Sequence, residues 1–291
     1  EPVLNFESGV YTNNSLLVTI TATPGTVVRY TTDGSEPTNT TSGTAYTGPI
    51  TVSGNTILKT RVFQTGLWPS AVVARNYILV DSSVRAFSSN LPFVVITTPG
   101  GIPASVPPGG TRMRGTFAVY NTFRGRSSMA AKPDYIGPAQ FETFGQTSEG
   151  FPKKPHNIEL NDEYGNDKAA SIFGMPAEAD WKMRNPYSDK CLMNDFLAYE
   201  MFEQMGNYSC RRQFVEVFIN TAAGTKLTYN NYYGVLVFLE KIEVDLALER
   251  LFRPGEEERG EGVHRRVDVA EVPLVRGHLA VGVQIRSAKH Q

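Results

Sequence analysis

Two adjacent lysines, Lys153 and Lys154, stand just ahead of the alternating segment Asn157-Ile158-Glu159-Leu160. A cation at the entry to a strand can hold an anionic group, while a solvated lysine pair can equally blunt a strand edge against unwanted pairing. Alternation carried backward from Ile158 and Leu160 puts Lys154 on their face and Lys153 on the face of Glu159. If a helix covers the apolar face, Lys154 is the better placed of the two. The acid that could anchor such a cation is Glu200, one position from Tyr199 and four from Phe196, so at the border of an apolar helical stripe. An ordinary surface glutamate is the other reading of that residue.

Other polar runs are weaker. Asp162, Glu163, Asp167 and Asp180 lie near one another in sequence, but Asp162-Glu163-Tyr164-Gly165-Asn166-Asp167 has the composition of a hairpin turn rather than a metal site. Gly145-Gln146-Thr147-Ser148-Glu149-Gly150 fits either a loop offering backbone N–H groups to an anion or a plain hairpin. Arg124-Gly125-Arg126-Ser127-Ser128 reads as a solvated loop, and His156 as structural or exposed. The histidines His264, His278 and His290 have no ligand spacing, no catalytic residue is assignable, and no metal ligands are identified. A helix between Cys191 and Cys210 would hold them about 28 Å apart, far beyond the ~7 Å of a disulfide.

These residues need elements to position them. Over roughly 1–80, short Thr- and Val-rich runs such as Leu16–Ile20, Val27–Tyr30, Ile50–Val52 and Ile57–Phe63 are separated by Pro24-Gly25, Asp33-Gly34 and Ser53-Gly54. That spacing predicts a small antiparallel β-sandwich. From about 90 to 245, strands are expected at Phe93–Thr98, Phe117–Tyr120, Asn157–Leu160, Phe214–Ile219 and Tyr233–Leu239. One long helix is expected over Leu192–Met205, where Leu192, Phe196 and Tyr199 recur at helical spacing and Met193, Leu197 and Met201 widen the stripe. Ser188 or Asp189 can cap its start and Gly206 its end. Strands around one helix make an α+β lobe. The stretch 246–291 changes composition, with Arg253 to Gly262 rich in charge and glycine; its fold is not assignable beyond one strand around Leu279–Val283.

Bulk composition excludes several classes. With 28 Lys plus Arg against 29 Asp plus Glu the net charge is −1, which argues against a nucleic-acid binder. No run approaches the ~18 to 20 apolar residues of a membrane span. A secretion signal is expected to be absent or already removed, since no basic then apolar leader follows Glu1.

Two resemblances sharpen the reading. Thr23-Pro24-Gly25, Tyr30-Thr31-Thr32-Asp33-Gly34-Ser35-Glu36-Pro37-Thr38, Tyr46-Thr47-Gly48-Pro49-Ile50 and Leu67-Trp68-Pro69-Ser70 resemble the sandwich module found at the C-terminus of chitobiases and hexosaminidases. That likeness implies an accessory module of extracellular bacterial proteins. Gly150-Phe151-Pro152-Lys153-Lys154, the run Ile158 to Asp167, Gly174-Met175-Pro176 to Trp181, Pro186 to Lys190, Leu197-Ala198-Tyr199-Glu200, Arg212 to Phe218 and Glu240-Lys241-Ile242 together resemble the spore-coat protein H (CotH) kinase family.

The second resemblance implies an atypical protein-kinase-like N-lobe, an antiparallel sheet with one long helix. It also implies ATP and a divalent metal (Mg or Mn) as cofactors, Ser/Thr hydroxyls of a protein as acceptors, and a bacterial extracellular or cell-surface setting. On this likeness Lys154 or Lys153 would contact phosphates, Glu200 would orient that lysine, and the backbone of Leu239, Glu240, Lys241 and Ile242 would hold adenine. Phe144-Gly145 stands where the family usually has Arg before the glycine. The family continues into a second lobe with an Asp-rich metal motif; Arg266-Val267-Asp268-Val269 resembles only the first residues of that continuation, so weak or absent phosphotransfer is expected. The alternative is a non-catalytic surface or spore-coat interaction protein whose sandwich binds a cell-wall or surface glycan or a neighbouring domain.

Overall fold

The computed structural model of the protein describes residues 1–104 and 111–241. The expectations for Ile242, for the strand near Leu279–Val283 and for the whole of 246–291 lie outside the described residues.

The N-terminal segment is a small β-sandwich. β1 (Val3–Leu4) pairs with β4 (Ile20–Thr21), and β3 (Leu16–Val18) pairs with β7 (Ile50–Val52). A five-stranded sheet has the order β2 (Gly9–Tyr11), β9 (Val73–Leu79), β8 (Thr56–Phe63), β5 (Val27–Thr31), β6 (Thr44–Ala45). Strict alternation sets the inward face: Leu16 and Val18 are buried while Leu17 between them is exposed. The sandwich is not wholly antiparallel as expected. β2 and β9 run parallel, which their wide separation in the chain permits because no hairpin joins them. The Asp33-Gly34 turn forms as anticipated: Asp33 Oδ1 accepts from the Ser35 N–H, and Gly34 takes φ +79°, open to glycine at little cost.

A short helix α1 (Ser82–Arg85), with Asp81 accepting from the Ser83 N–H, leads out of the sandwich. β10 (Ser88–Ser89) pairs with β13 (Ser127–Ser128) beside it. The remaining strands close into a seven-stranded barrel. Its order is β11 (Phe93–Thr97), β12 (Met113–Tyr120), β14 (Tyr135–Thr143), β15 (His156–Leu160), β16 (Asp180–Arg184), β18 (Tyr232–Glu240), β17 (Arg212–Asn220). β17 pairs in parallel with β11 to shut it. The expected lobe, an antiparallel sheet with one long helix, therefore gives way to a mostly-β closed barrel. Every residue of β11 is buried, so that strand needs cover on both faces and both edges. Tyr135–Thr143 and Asp180–Arg184, which the sequence reading left unassigned, complete the circumference.

The lumen is a packed core rather than a channel. Trp181 and Phe117 each stack with Phe238, at ring-centroid distances of 5.1 and 6.1 Å. On the outside of the wall, Phe93, Val95, Ala118 and Phe218 pack with Ile78 and Val80 from the end of the sandwich, so sandwich and barrel share an apolar seam. Elsewhere on the wall lies α2 (Asn194–Gln204), whose Phe196 and Tyr199 pack on Val237, Leu239, Cys210 and Phe214. This helix is shorter than expected. Leu192 has φ +59°, outside the helical region, while Asp189 accepts from the N–H groups of Cys191 and Asn194 and Gly206 closes the other end at φ +86°. Both cysteines are free, Cys191 exposed and Cys210 buried. Among the described residues no helix is long and apolar enough to cross a membrane.

Candidate functional site

One mouth of the barrel gathers the chain before β15, the start of β18 and the β14–β15 connection. Lys153 is half-buried, and its ammonium donates to the Val235 carbonyl at 2.5 Å. Gly234 has φ +105°, and a Cβ there would stand 2.9 Å from Lys153 Nζ, so the absence of a side chain is what lets the lysine cross β18. Burial pushes the Lys153 ammonium below its ordinary range. Among the described residues no carboxylate forms an ion pair with it.

Lys154 is exposed instead. Its main chain is pinned from both sides by the Tyr233 phenol, which receives the Lys154 N–H and faces the Lys154 carbonyl at 3.4 Å. The alternation that favoured Lys154 does not reach these residues, because β15 begins only at His156, after Pro155. Alternation is a property of extended paired chain and lapses in the strap before it.

His156 does point inward. It is 3% exposed, neither ring nitrogen has a hydrogen-bond partner, and its ring lies 5.7 Å from that of Tyr233. Burial, and then the nearby Lys154 charge, push its pKa down to about 4, so the imidazole is neutral. The connection from Phe144 to Pro155 joins two antiparallel strands as a hairpin. It carries a single 3₁₀ turn (Ser148–Gly150), and Lys182 sits over the Phe144 ring at 4.9 Å. On the outer face beyond it, Arg112 joins Glu142 and Glu159, and Asn157 donates to Glu142 at 2.8 Å.

Glu200 does not meet either lysine. Its carboxylate accepts from Arg212 at 2.6 Å and from Gln204 at 3.2 Å. Arg212 pairs across the ladder with Leu239, four residues from Val235, so the arginine and Lys153 lie at levels of β18 roughly 13 Å apart. Arg212 is the residue that sequence reasoning missed. It is buried, faces Phe196 at 4.8 Å and Tyr199 at 5.8 Å, and also reaches Glu203. Nothing in the local run Cys210-Arg211-Arg212 distinguishes the buried arginine from its exposed neighbour; only its place at the head of β17 does.

At the same end of β18, Leu239 is buried under α2. Glu240 is buried too, and accepts from the Tyr208 hydroxyl, the Arg211 N–H at 3.0 Å and the Arg211 guanidinium at 3.1 Å. Lys241 pairs with Asp180 at 2.9 Å. The N–H groups of Glu240 and Lys241 already donate to Arg211 and Asp180 carbonyls, at 3.2 and 3.4 Å. Among the described residues no three His, Cys, Asp or Glu side chains converge to hold a metal. Asp162 instead accepts from the N–H groups of Tyr164 and Asn166, the hairpin turn that its composition predicts.

No curated protein matches the chain. Residues 6–74 match the family model of the chitobiase/beta-hexosaminidase C-terminal domain. Residues 141–267, which include the Lys153 strap, β15, β16, α2, β17 and β18, match that of CotH kinase protein, so the two matches follow one another in that N-to-C order.

Proposed function

We propose that the Lys153 strap is the phosphate-gripping element of a CotH-type kinase that uses ATP and a divalent metal to phosphorylate Ser/Thr hydroxyls of a protein, in an extracellular or cell-surface setting. The observation that carries this reading is the half-buried Lys153 ammonium, held by one neutral carbonyl with no carboxylate partner among the described residues. A cation in that state gains most from an incoming phosphate oxygen, since a charge-assisted hydrogen bond is stronger than one to a neutral carbonyl. The family match supports the class of reaction. In this reading Lys153 takes the phosphate role over Lys154, and Glu200 acts at one remove by holding Arg212 and with it α2. An adenine on the Leu239–Ile242 segment would have to displace one of the main-chain bonds made by Glu240 and Lys241. Among the described residues no three His, Cys, Asp or Glu side chains converge, so the divalent metal enters this reading from the family match alone.

Radiolabelled ATP with manganese or magnesium tests this. Lys153→Met should weaken nucleotide binding by roughly tenfold or more, as expected for loss of a charge-assisted bond, and Lys154→Met by less than about twofold. ATP binding that survives Lys153→Met unchanged overturns the reading. One observation favours a second, non-catalytic reading. Trp68 is 96% exposed beside exposed Leu67, on a turn of the sandwich where an indole face is free to stack on a sugar ring of a surface glycan. Glycan binding lost in Trp68→Ala, with no thermal shift on ATP, would select that reading instead.

A further inference from the structure

The helix α2 is apolar on two opposite sides. Its inward side, Phe196 and Tyr199, is used against β17 and β18. The outward side follows from the 3.6-residue repeat. Leu197, Met201 and Met205 form a row at four-residue spacing, Phe202 lies beside it, and Met193 extends it past the first turn. These five side chains are 46 to 76% exposed. The rest of that face is Asn194 and Ala198, so it carries no charge. A helix with apolar residues on both sides belongs in an interior, and a large apolar patch left open on a surface marks an interaction site.

The charges of α2 are spent at its margins. Asp195 pairs with Arg184 at 3.0 Å, and Glu200 and Glu203 turn toward Arg212 at 2.6 and 3.4 Å. A charge-free centre of Met, Leu and Phe inside a polar rim is the composition of a protein–protein interface core. It is not that of a helix lying on a membrane, which carries Lys and Arg along its polar face; Asn194–Gln204 has none, and its acids would be repelled by anionic lipid.

Area and shape narrow the partner. At about 200 Å² for a large side chain in full exposure, the five present roughly 550 Å². Two such faces together would bury about 1,100 Å², just past the ~1,000 Å² that a specific interface needs and at the weak end of the range. The face is also self-complementary, because small Ala198 lies one turn before bulky Phe202. In an antiparallel crossing level with Glu200, each Phe202 ring meets the alanine of the other copy, as a two-fold interface requires. The acids are already paired within the chain, so the crossing sets no bare carboxylates against one another.

We propose that the outward face of α2 is a self-association surface, through which two copies of this chain pair antiparallel about a two-fold axis as a weak dimer with a dissociation constant in the micromolar range. The surface does not involve Lys153 and does not depend on the kinase reading.

Sedimentation velocity of the full chain from about 1 to about 200 µM tests this. The wild type should pass from monomer to dimer across that range. Met201→Glu should weaken the dimer by roughly tenfold or more, since it buries a charge without a partner. Phe123→Ala removes an equally exposed apolar side chain from the β12–β14 connection and should leave the dimer unchanged. Met201 is 64% exposed and Glu is as good a helix former as Met, so the variant should fold, with the circular dichroism and thermal midpoint of the wild type at the lowest concentration. A second readout needs no variant: amide exchange across Asn194–Gln204 should slow as concentration rises, while β3 and β7 stay as they are. A wild type that remains monomeric throughout overturns the proposal, and a lowered midpoint in Met201→Glu would then assign the face to another segment of the same chain. A dimer that survives Met201→Glu, or concentration-dependent protection that misses α2, overturns it equally.

Discussion

Two residues at the barrel mouth were undecidable from sequence for a single physical reason: each depends on who stands opposite. Lys153 is turned inward because Gly234, 81 positions later, has no side chain to block it. Gly234→Ala should therefore act twice, straining a residue at φ +105° and pushing Lys153 off the Val235 carbonyl. The strain alone is worth about 1–3 kcal/mol, to be read by chemical denaturation, and the displacement should lower ATP affinity along with it. His156 has the opposite character, an imidazole kept neutral by burial. Its folded pKa of about 4 lies below the ordinary value of 6.5, so between those limits the unfolded chain binds the extra proton. Stability from this group is fully present above about pH 6.5 and is lost as pH falls toward 4, by an amount of order 3 kcal/mol. Denaturation midpoints measured across that window should fall steeply for the wild type and with a clearly shallower slope for His156→Phe; equal slopes would remove His156 as the cause.

At the scale of elements, the sequence shows which segments are strand or helix better than which way they face. β3, β7 and β15 were legible because small breakers frame them and alternation is strict. β14 was not, since Gly137-Pro138 interrupts it, yet Pro138 sits opposite Thr116 in a ladder that continues on both sides. β16 carries a clean alternation, Trp181 and Met183 inward between Asp180, Lys182 and Arg184, and that pattern was the signal available to find it. α2 was found but could not be oriented. Phe196 and Tyr199 pack inward while Leu197, Met201 and Phe202 remain exposed, so the apolar stripe runs too far round the helix to name its buried face. What fixes the orientation is Arg212, from a different element. Arg212→Met should cost about 1–3 kcal/mol through lost ring contacts and unpaired Glu200 and Glu203, and should speed amide exchange across Asn194–Gln204. Glu200→Gln should change stability by less than about 1 kcal/mol, because that carboxylate is largely exposed and Glu203 remains. Equal losses in the two variants would mean that the ion pair, rather than the buried guanidinium, holds the helix.

At the scale of the molecule, one family match falls on the sandwich and the other on the later strands of the barrel, but the apolar packing does not keep the two regions apart. Ile78 and Val80 at the end of the sandwich are as buried as Phe93, Val95 and Phe218 on the barrel wall they touch. Sequence could not reveal this seam, because the outward residues of β11 look like ordinary core until the closed barrel shows that its lumen is already full. A shared seam couples the unfolding of its two sides, since exposing it removes cover from both at once. Over residues 1–241 the sandwich and barrel should therefore melt together, with NMR signals from the fully buried Tyr77 ring in the sandwich and the fully buried Trp181 indole in the barrel following one transition. Ile78→Ala removes a fully buried side chain from the seam and should lower the midpoint of both signals by the same amount, at a cost of about 2–5 kcal/mol. If the variant instead splits the curve, so that the Tyr77 signal falls first while Trp181 keeps its midpoint, the barrel stands without the sandwich and the seam is only a docking contact.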